Sequence, residues 1–533
     1  MSRSWDYIIV GGGTAGCVLA ARLSEDPSRT VLLLEAGGAG KDLRFAVPGA
    51  QLLVRAWDKF AWQYPVRPDA SRLGYEDTWR RGKALGGSSM INGLIFARGL
   101  PSDYNGWAAN GAPGWSYKDV LPAFQRVESF TGDDTQQRGS HGPVGVEVFQ
   151  SPHPLTQSLK SGFVAQGAHH VDDINALHAA GSDAVVGDTQ TNQKNGLRHS
   201  AQRTYLAAAK SRKSLTVITQ AISHKIVFEQ RRAVAVSVRI GENTETFRAD
   251  REIVLCAGPI ASPHVLAHSG IGPGESLRAH EIDVVSDSPE VGRNLQEHPE
   301  LYLEYGIDQP SYVSAARPWG MLKSGLQFLL NRTGPATSPG THLLAYMKSA
   351  ATVPLPDLLF FAGPWGALED SFQTGRAQEV YSLSPSIARP YSRGQISVSS
   401  PDPEAMPKID ANLLGDVRDM QLMKRGVHLA QAIAAHPPFA KHVTRTTQPF
   451  DMEDDASLEE YIRTHVSICY HASGTCRMGA DDASVVDPQL RVRGVEGLRV
   501  ADASIMPLIP SGNTMAPVFM IAERAADFMK QSA

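Results

Sequence analysis

The 533-residue sequence predicts an α/β protein in which a parallel, helix-covered sheet is joined to a second, α+β domain. Three observations predict this. A short apolar run near the N-terminus leads straight into a glycine-rich turn, and a helix and a second apolar run follow at once. Far downstream, between residues 300 and 445, alternating sheet-like segments precede a long helical stretch.

Tyr7 to Val10 reads as a buried parallel strand, because both faces must be apolar when helices cover both sides of a sheet. Gly11-Gly12-Gly13-Thr14-Ala15-Gly16 then gives G-x-G-x-x-G. The first glycine permits the tight turn, the second lets the backbone approach a pyrophosphate, and the third allows close packing of helix on strand. Free N–H groups and the helix dipole favour an anion at that helix N-terminus. Val18, Leu19, Ala21 and Leu23 form the apolar positions of the helix, which ends in the loop Ser24 to Arg29. Val31 to Leu34 is a second buried strand, closed by Glu35 where a carboxylate accepts hydrogen bonds from a ribose diol. The unit is Rossmann-like. Its acid disfavours a 2′-phosphate, hence NADP, and leaves NAD and FAD open.

Residues 41–115, rich in Gly, Pro, Arg and Trp, read as long loops lying over a cofactor. Ser116 to Val127 reads as a helix with Val120, Leu121 and Phe124 on one side, and residues 150–210 alternate loops with short helical stretches. Leu215 to Ile218, Lys225 to Phe228 and Ala233 to Ile240 read as strands. Arg251 to Leu255 is a further buried strand before the helix-compatible Pro263 to Ser269. Leu301 to Tyr305, Glu379 to Ser384 and the helix Asp416 to Ala435 suggest an antiparallel sheet flanked by helices. Leu498 to Ala501 and Pro517 to Met529 return to strand, loop and helix. The acidic cluster Asp451 to Asp455 reads as solvated loop. The division expected is a discontinuous nucleotide-binding domain of residues 1–150, 211–300 and 465–533, and a substrate-binding domain of residues 151–210 and 301–464.

Hydrophobic residues at 42%, charged residues at 20% and a formal charge of −4 describe an ordinary globular chain without a nucleic-acid footprint. Cys17, Cys256, Cys469 and Cys476 form no C-x-x-C pair and read as reduced, buried small hydrophobes. No charged and apolar leader precedes Trp5, and no run approaches the ~20 apolar residues of a spanning helix. A cytoplasmic protein is expected, of unknown oligomeric state. No metal-ligand set is expected.

Gly82-Lys83-Ala84-Leu85-Gly86-Gly87-Ser88-Ser89-Met90-Ile91-Asn92 resembles the first signature of the glucose–methanol–choline (GMC) oxidoreductase family. The stretch from Gly258 to Gly272 resembles the second. Val291-Gly292-Arg293-Asn294-Leu295-Gln296-Glu297-His298 is similar to its G-x-N-L-x-D-H element, with Glu297 in place of the commoner Asp. Tyr470 to Gly479 and Ala501 to Pro517 resemble its C-terminal active-site region. These matches keep the family's order along nearly the whole chain.

The resemblance implies FAD. The contacts it implies fall on Gly11, Gly13, Thr14, Ala15, Gly16, Glu35 and Ala36, then on Trp62, Leu85, Gly86, Ser89, Asn92, Gly93, Leu94 and Ile95. Ser223 follows near the adenine, and Tyr470, Asp502, Ala503, Asn513 and Thr514 complete the set. Relatives with a covalent flavin carry a histidine where Met90 and Ile91 stand here, so non-covalent FAD is expected. The resemblance also implies oxidation of an alcohol, with hydride passing to flavin N5 and electrons then to dioxygen or a quinone. His471 matches the catalytic base, which suits an imidazole that is largely neutral at pH 7. Asn513 matches its partner, expected to orient the hydroxyl; a plain turn residue is the alternative. The helix after Pro517 is expected to turn its N-terminus toward the flavin, and Met515 stands where relatives often have Asn. His298 is expected to tie a loop near the flavin, and His465 is a candidate for the pocket. His141, His169, His170, His199 and His264 read as surface or satisfied core groups. Phe360, Phe361, Trp365 and Tyr470 suggest a partly apolar primary alcohol. A hydroxynitrile lyase with redox-silent FAD remains an alternative, because such members keep the histidine region. An NAD-dependent dehydrogenase fits only the first 40 residues.

Overall fold

The computed structural model describes residues 4–51, 58–133, 136–177, 183–366, 378–446, 451 and 454–531. Its N-terminal sheet begins with the expected unit: strand β1 (Ser4–Val10), helix α1 (Thr14–Leu23) and strand β2 (Val31–Glu35). Leu215–Thr219 pairs in parallel with β2, β2 with β1, and β1 with Arg248–Leu255, which pairs in turn with Leu498–Val500. These five strands bring Gly11, Glu35, Cys256 and Ala501 to one edge of the sheet. Ligands bind at that carboxyl edge in open parallel sheets.

The strand expected at Arg251 to Leu255 is longer, Asn243–Leu255. Its first half pairs antiparallel with Arg232–Ile240, which pairs with Ala221–Glu229. Exposed polar residues alternate through Asn243 to Asp250, so the apolar run that marks a buried strand begins only at the second half.

The second sheet has the order Val443–Thr446, Leu303–Ile307, Val380–Ile387, Leu358–Gly363, Leu343–Met347, Val185–Asp188, His169–His170. Its pairings are antiparallel except the last. Helix Val417–Ala434 packs on strand Val380–Ile387, and its Met420, Met423, Val427 and Ala430 share one core with Leu303, Tyr305 and Leu383. Pro299–Glu300 and Ser467–Ile468 pair with each other and join this sheet at Ser386. The two chain segments that carry His298 and His471 therefore run side by side where the two sheets meet.

Two expectations are corrected. Residues 41–115 are not mainly loops: Ala61–Asp69 and Tyr75–Gly82 form an antiparallel hairpin, and Pro101–Ala109 is a helix. Pro65 and Pro68 interrupt the alternation of the hairpin, and a two-stranded ribbon tolerates them. The acidic cluster does not end as loop. Asp454 caps helix Asp455–His465 through the Ala456 N–H, and Asp455 pairs with Lys424 at 2.8 Å; Met452 and Glu453 lie outside the described residues.

Candidate active site

A cavity of about 330 Å³ follows the carboxyl edge of the first sheet from Glu35 and Ser223 to His471 and Asn513. At its first end, the N-cap of α1 is Gly13, which offers no side-chain cap, so the first N–H groups of the helix are left unspent beside the cavity. Gly11 has φ of +100°, and a Cβ there would stand 2.5 Å from the Cys256 carbonyl oxygen. Glu35 is buried; its two oxygens accept from the Gly12 N–H at 2.8 Å and the Gly37 N–H at 2.7 Å. Burial pushes its carboxyl up against those bonds. Each oxygen keeps a further lone pair for a hydroxyl donor.

Of the expected contacts, Gly11, Gly13, Thr14, Ala15, Glu35, Ala36, Trp62, Ser89, Asn92, Gly93, Leu94, Ile95, Ser223, Tyr470, Asp502, Ala503, Asn513 and Thr514 line this cavity. Gly16, Leu85 and Gly86 stand behind it. A Cβ on Gly16 would collide with the Gly11 carbonyl, and Gly86 donates its N–H to Gly12 O at 2.7 Å. They shape the turn rather than the lining.

Ser89 donates to Gly86 O at 2.6 Å and accepts from the Ala201 N–H. Asn92 donates to Met515 Sδ at 3.0 Å and accepts from Arg198 at 2.7 Å. Asp502 joins distant segments by accepting from the Gly258 N–H at 2.8 Å and the Ser262 hydroxyl at 2.6 Å. Helix α3 (Met515–Gln531) starts two residues before the expected Pro517, which sits in its first turn where a missing N–H costs nothing. Asn513, Thr514 and Met515 put that helix N-terminus against the cavity.

At the far end His471 is 6% exposed. Asn513 Nδ2 donates to His471 Nε2 at 3.0 Å. On the other side, His471 Nδ1 and His298 Nδ1 are 2.9 Å apart, with ring planes at 89°. With Nε2 accepting, the His471 proton sits on Nδ1 and is donated to His298 Nδ1. The His298 proton is then on its Nε2. Burial holds both rings neutral, pushing His471 well below the ordinary imidazole range and His298 down to about 4. The neighbouring His298 and Arg81 push His471 the same way. Asn513 Oδ1 is buried without a hydrogen-bond partner.

Glu297 holds the two histidines in register. Its Oε1 accepts from the His471 N–H at 2.5 Å and the His298 N–H at 3.0 Å. Burial raises it to about 7, against the pull of Arg81. Arg81 donates to Tyr470 O at 2.8 Å, and Tyr470 itself has φ of +62°. Such a backbone outlier beside a functional side chain is a strained position maintained by its surroundings.

Several residues escaped the sequence. Tyr64, Arg81, Met406 and Cys469 line the cavity, and nothing local marks them. His264, read as an inert group, also lines it, with Nε2 against Pro403 O at 3.0 Å. His465 does not; it is exposed and stacks on Tyr461. Among the aromatic candidates only Tyr470 lines the cavity. Phe360 packs on Phe163, its strand neighbour Phe361 turns to Tyr346 and Ile95, and Trp365 packs on Tyr302.

The bare α1 terminus, the glycine cradle and the Glu35 carboxylate fit an adenine dinucleotide with its pyrophosphate at α1. The family models described as GMC oxidoreductase match residues 5–300 and 390–522. An oxygen-dependent choline dehydrogenase of Pseudomonas syringae pv. syringae is 37% identical, over 98% of this chain and 93% of that protein. One from Burkholderia pseudomallei (strain K96243) is 36% identical, over 99% and 94%. The crystal structure of pyridoxine 4-oxidase from Mesorbium loti superposes with a TM-score of 0.89 at 30% identity, covering 99% of each chain. Formate oxidase shares the fold at a TM-score of 0.90 and 24% identity, covering 100% of this chain and 99% of that one. The chain belongs to the GMC oxidoreductase family and is one of its FAD-dependent enzymes.

Proposed function

We propose that the protein oxidises an uncharged primary alcohol to the aldehyde, with His471 as the base and Asn513 as the residue that orients the hydroxyl. The observation that carries this reading is the neutral His471 Nε2, facing Asn513 at the end of the cavity while its Nδ1 is engaged by His298. Nε2 takes the hydroxyl proton. Asn513 holds the alcohol oxygen by its amide, and the buried setting excludes water. FAD, when bound, supplies the acceptor for the hydride. The expected stretch contributes Met90 to the core and Ile91 to the lining, which supports attachment without a covalent bond. The backbone N–H groups at the start of α3 offer stabilisation for negative charge developing nearby.

The named relatives act, by their descriptions, on choline and pyridoxine. We infer a neutral substrate because a trimethylammonium group seeks a free carboxylate and an aromatic cage. The carboxylates lining the cavity are Glu35, Glu404 and Asp502. Each is engaged: Glu35 by backbone N–H groups, Glu404 by Arg239 and His224, Asp502 by Gly258 and Ser262. The relatives favour redox chemistry over a lyase, and dioxygen or a quinone is the acceptor we propose. Segments 1–150, 211–300 and 465–533 would hold FAD, and 151–210 and 301–464 the substrate. The four cysteines are free, in keeping with a reducing compartment such as the cytoplasm.

An anaerobic panel of neutral primary alcohols and choline, followed by the loss of flavin absorbance, tests the reading. Bleaching by a neutral alcohol is expected. Bleaching by choline alone would remove the substrate assignment, and no bleaching by any alcohol would remove the reaction.

A further inference from the structure

Helix α2 (Pro318–Asn331) wears its polarity outside in. Phe328 is its buried side chain, while Trp319, Met321, Leu322, Leu326, Leu329 and Leu330 face solvent. Trp319 is 83% exposed and Leu330 78%. Gly320, Ser324 and Gln327 line the cavity beneath it, with Trp319 and Lys323 at the rim, and Gln327 donates to the Thr333 hydroxyl at 3.3 Å. A surface helix ordinarily turns its apolar stripe to the core. Here residues 322, 326 and 330 form a stripe at helical spacing that faces solvent, and the exposed Trp319 stands at its edge, beside the cavity under the helix. Thirteen large hydrophobic side chains are exposed among the described residues, and six of them sit on this one helix. That is a patch, not the scatter any surface tolerates.

The charge around the patch selects what covers it. Between Asp308 and Asp357 the sequence has no Asp or Glu, but contains Arg317, Lys323, Arg332 and Lys348. Arg317 precedes the helix, Lys323 is exposed on its flank, and Arg332 caps its end over the Phe328 ring at 4.6 Å. An exposed tryptophan, a leucine-rich face and flanking cations are what a helix lying in a headgroup layer presents. A second copy meeting this face through its own would bring like charges together.

We propose that α2 docks the protein on the surface of a bilayer containing anionic phospholipid. The leucines enter the acyl boundary, and Arg317, Lys323 and Arg332 lie at the phosphates. At fourteen residues the helix is about 21 Å long, short of the ~30 Å hydrocarbon core, so it lies on the membrane rather than across it. No helix of the described residues is long and apolar enough to cross one. The inference stands on the surface alone and does not depend on the reaction.

The test is co-sedimentation of the flavin-loaded full-length protein with vesicles of roughly three parts phosphatidylcholine to one of phosphatidylglycerol, and with phosphatidylcholine alone. Wild type is expected to bind the anionic vesicles more tightly, and added salt to weaken that binding. Leu322→Glu with Leu326→Glu should lower the affinity at least about tenfold. Lys323→Glu should weaken binding to anionic vesicles and leave phosphatidylcholine unaffected. All of these side chains are exposed, so flavin content and melting temperature report that each variant is folded. Absence of vesicle binding by wild type, or equal binding by the leucine pair variant, overturns the proposal. A wild-type dimer that the leucine pair variant splits, with no vesicle binding, assigns the face to a second copy and overturns it too.

Discussion

His298 and His471 meet nitrogen to nitrogen, with Nδ1 atoms 2.9 Å apart across perpendicular rings, although 173 residues separate them in the chain. Only one of the two can donate. The Asn513 amide on the far nitrogen of His471 decides which, leaving His471 with a lone pair at Nε2 and His298 as the acceptor. His298 is thus a positioning residue that sets a tautomer, beyond the loop tie expected of it.

Replacing His471 with alanine should leave the protein yellow and slow flavin reduction by alcohol by about 10²- to 10⁴-fold, the usual contribution of a positioned general base. Stopped-flow absorbance measures this. Reduction near the wild-type rate would remove His471 from the mechanism.

Asn513→Ala keeps His471 but loses the amide proposed to orient the hydroxyl. A loss of about 10²-fold in the reduction rate is expected, with flavin content unchanged. Asn513→Asp tests the amide itself: its carboxylate cannot donate to Nε2, so the tautomer is no longer held.

Because burial and its neighbours hold His471 well below 6.5, the base stays unprotonated as pH falls through the ordinary imidazole range. The reduction rate should therefore stay level from neutral pH to below 6. His298→Ala removes one of the neighbours that depress His471, so its acid limb should move up in pH. An unchanged pH profile with a merely lower rate would mean that His298 is structural only.

Burial raises the Glu297 carboxyl to about 7 from its ordinary 4.5. Between these values the unfolded chain has released a proton that the folded chain keeps, so this group lowers stability as pH rises from 4.5 to 7. The span is on the order of 3 kcal/mol at most. Glu297→Gln keeps an acceptor for both backbone N–H groups and has no charge to bury. Its stability relative to wild type should improve across that window, read from urea midpoints. Parallel curves would show that Glu297 does not titrate there.

Gly16→Ala places a methyl group against the Gly11 carbonyl and forces helix and strand apart. The variant should lose most of its flavin and unfold at lower temperature, because overpacking of this kind costs about 1–3 kcal/mol. Absorbance after gel filtration and a thermal scan check both effects.

The sequence by itself determined the βαβ unit, the glycine turn with Glu35, the helices around Ser116–Val127 and Val417–Ala434, and the family to which the chain belongs. Each is written in neighbouring residues: a run of apolar side chains, a period, a turn that only glycine makes. Tertiary structure alone decided the hairpin over Ala61–Gly82, the partnership of His298 with His471, the grip of Glu297 on both, and the outward leucines of α2. Period and turn chemistry are local, whereas a hydrogen bond between distant rings, or the side of a helix left bare, depends on where strands far apart in the chain are brought together.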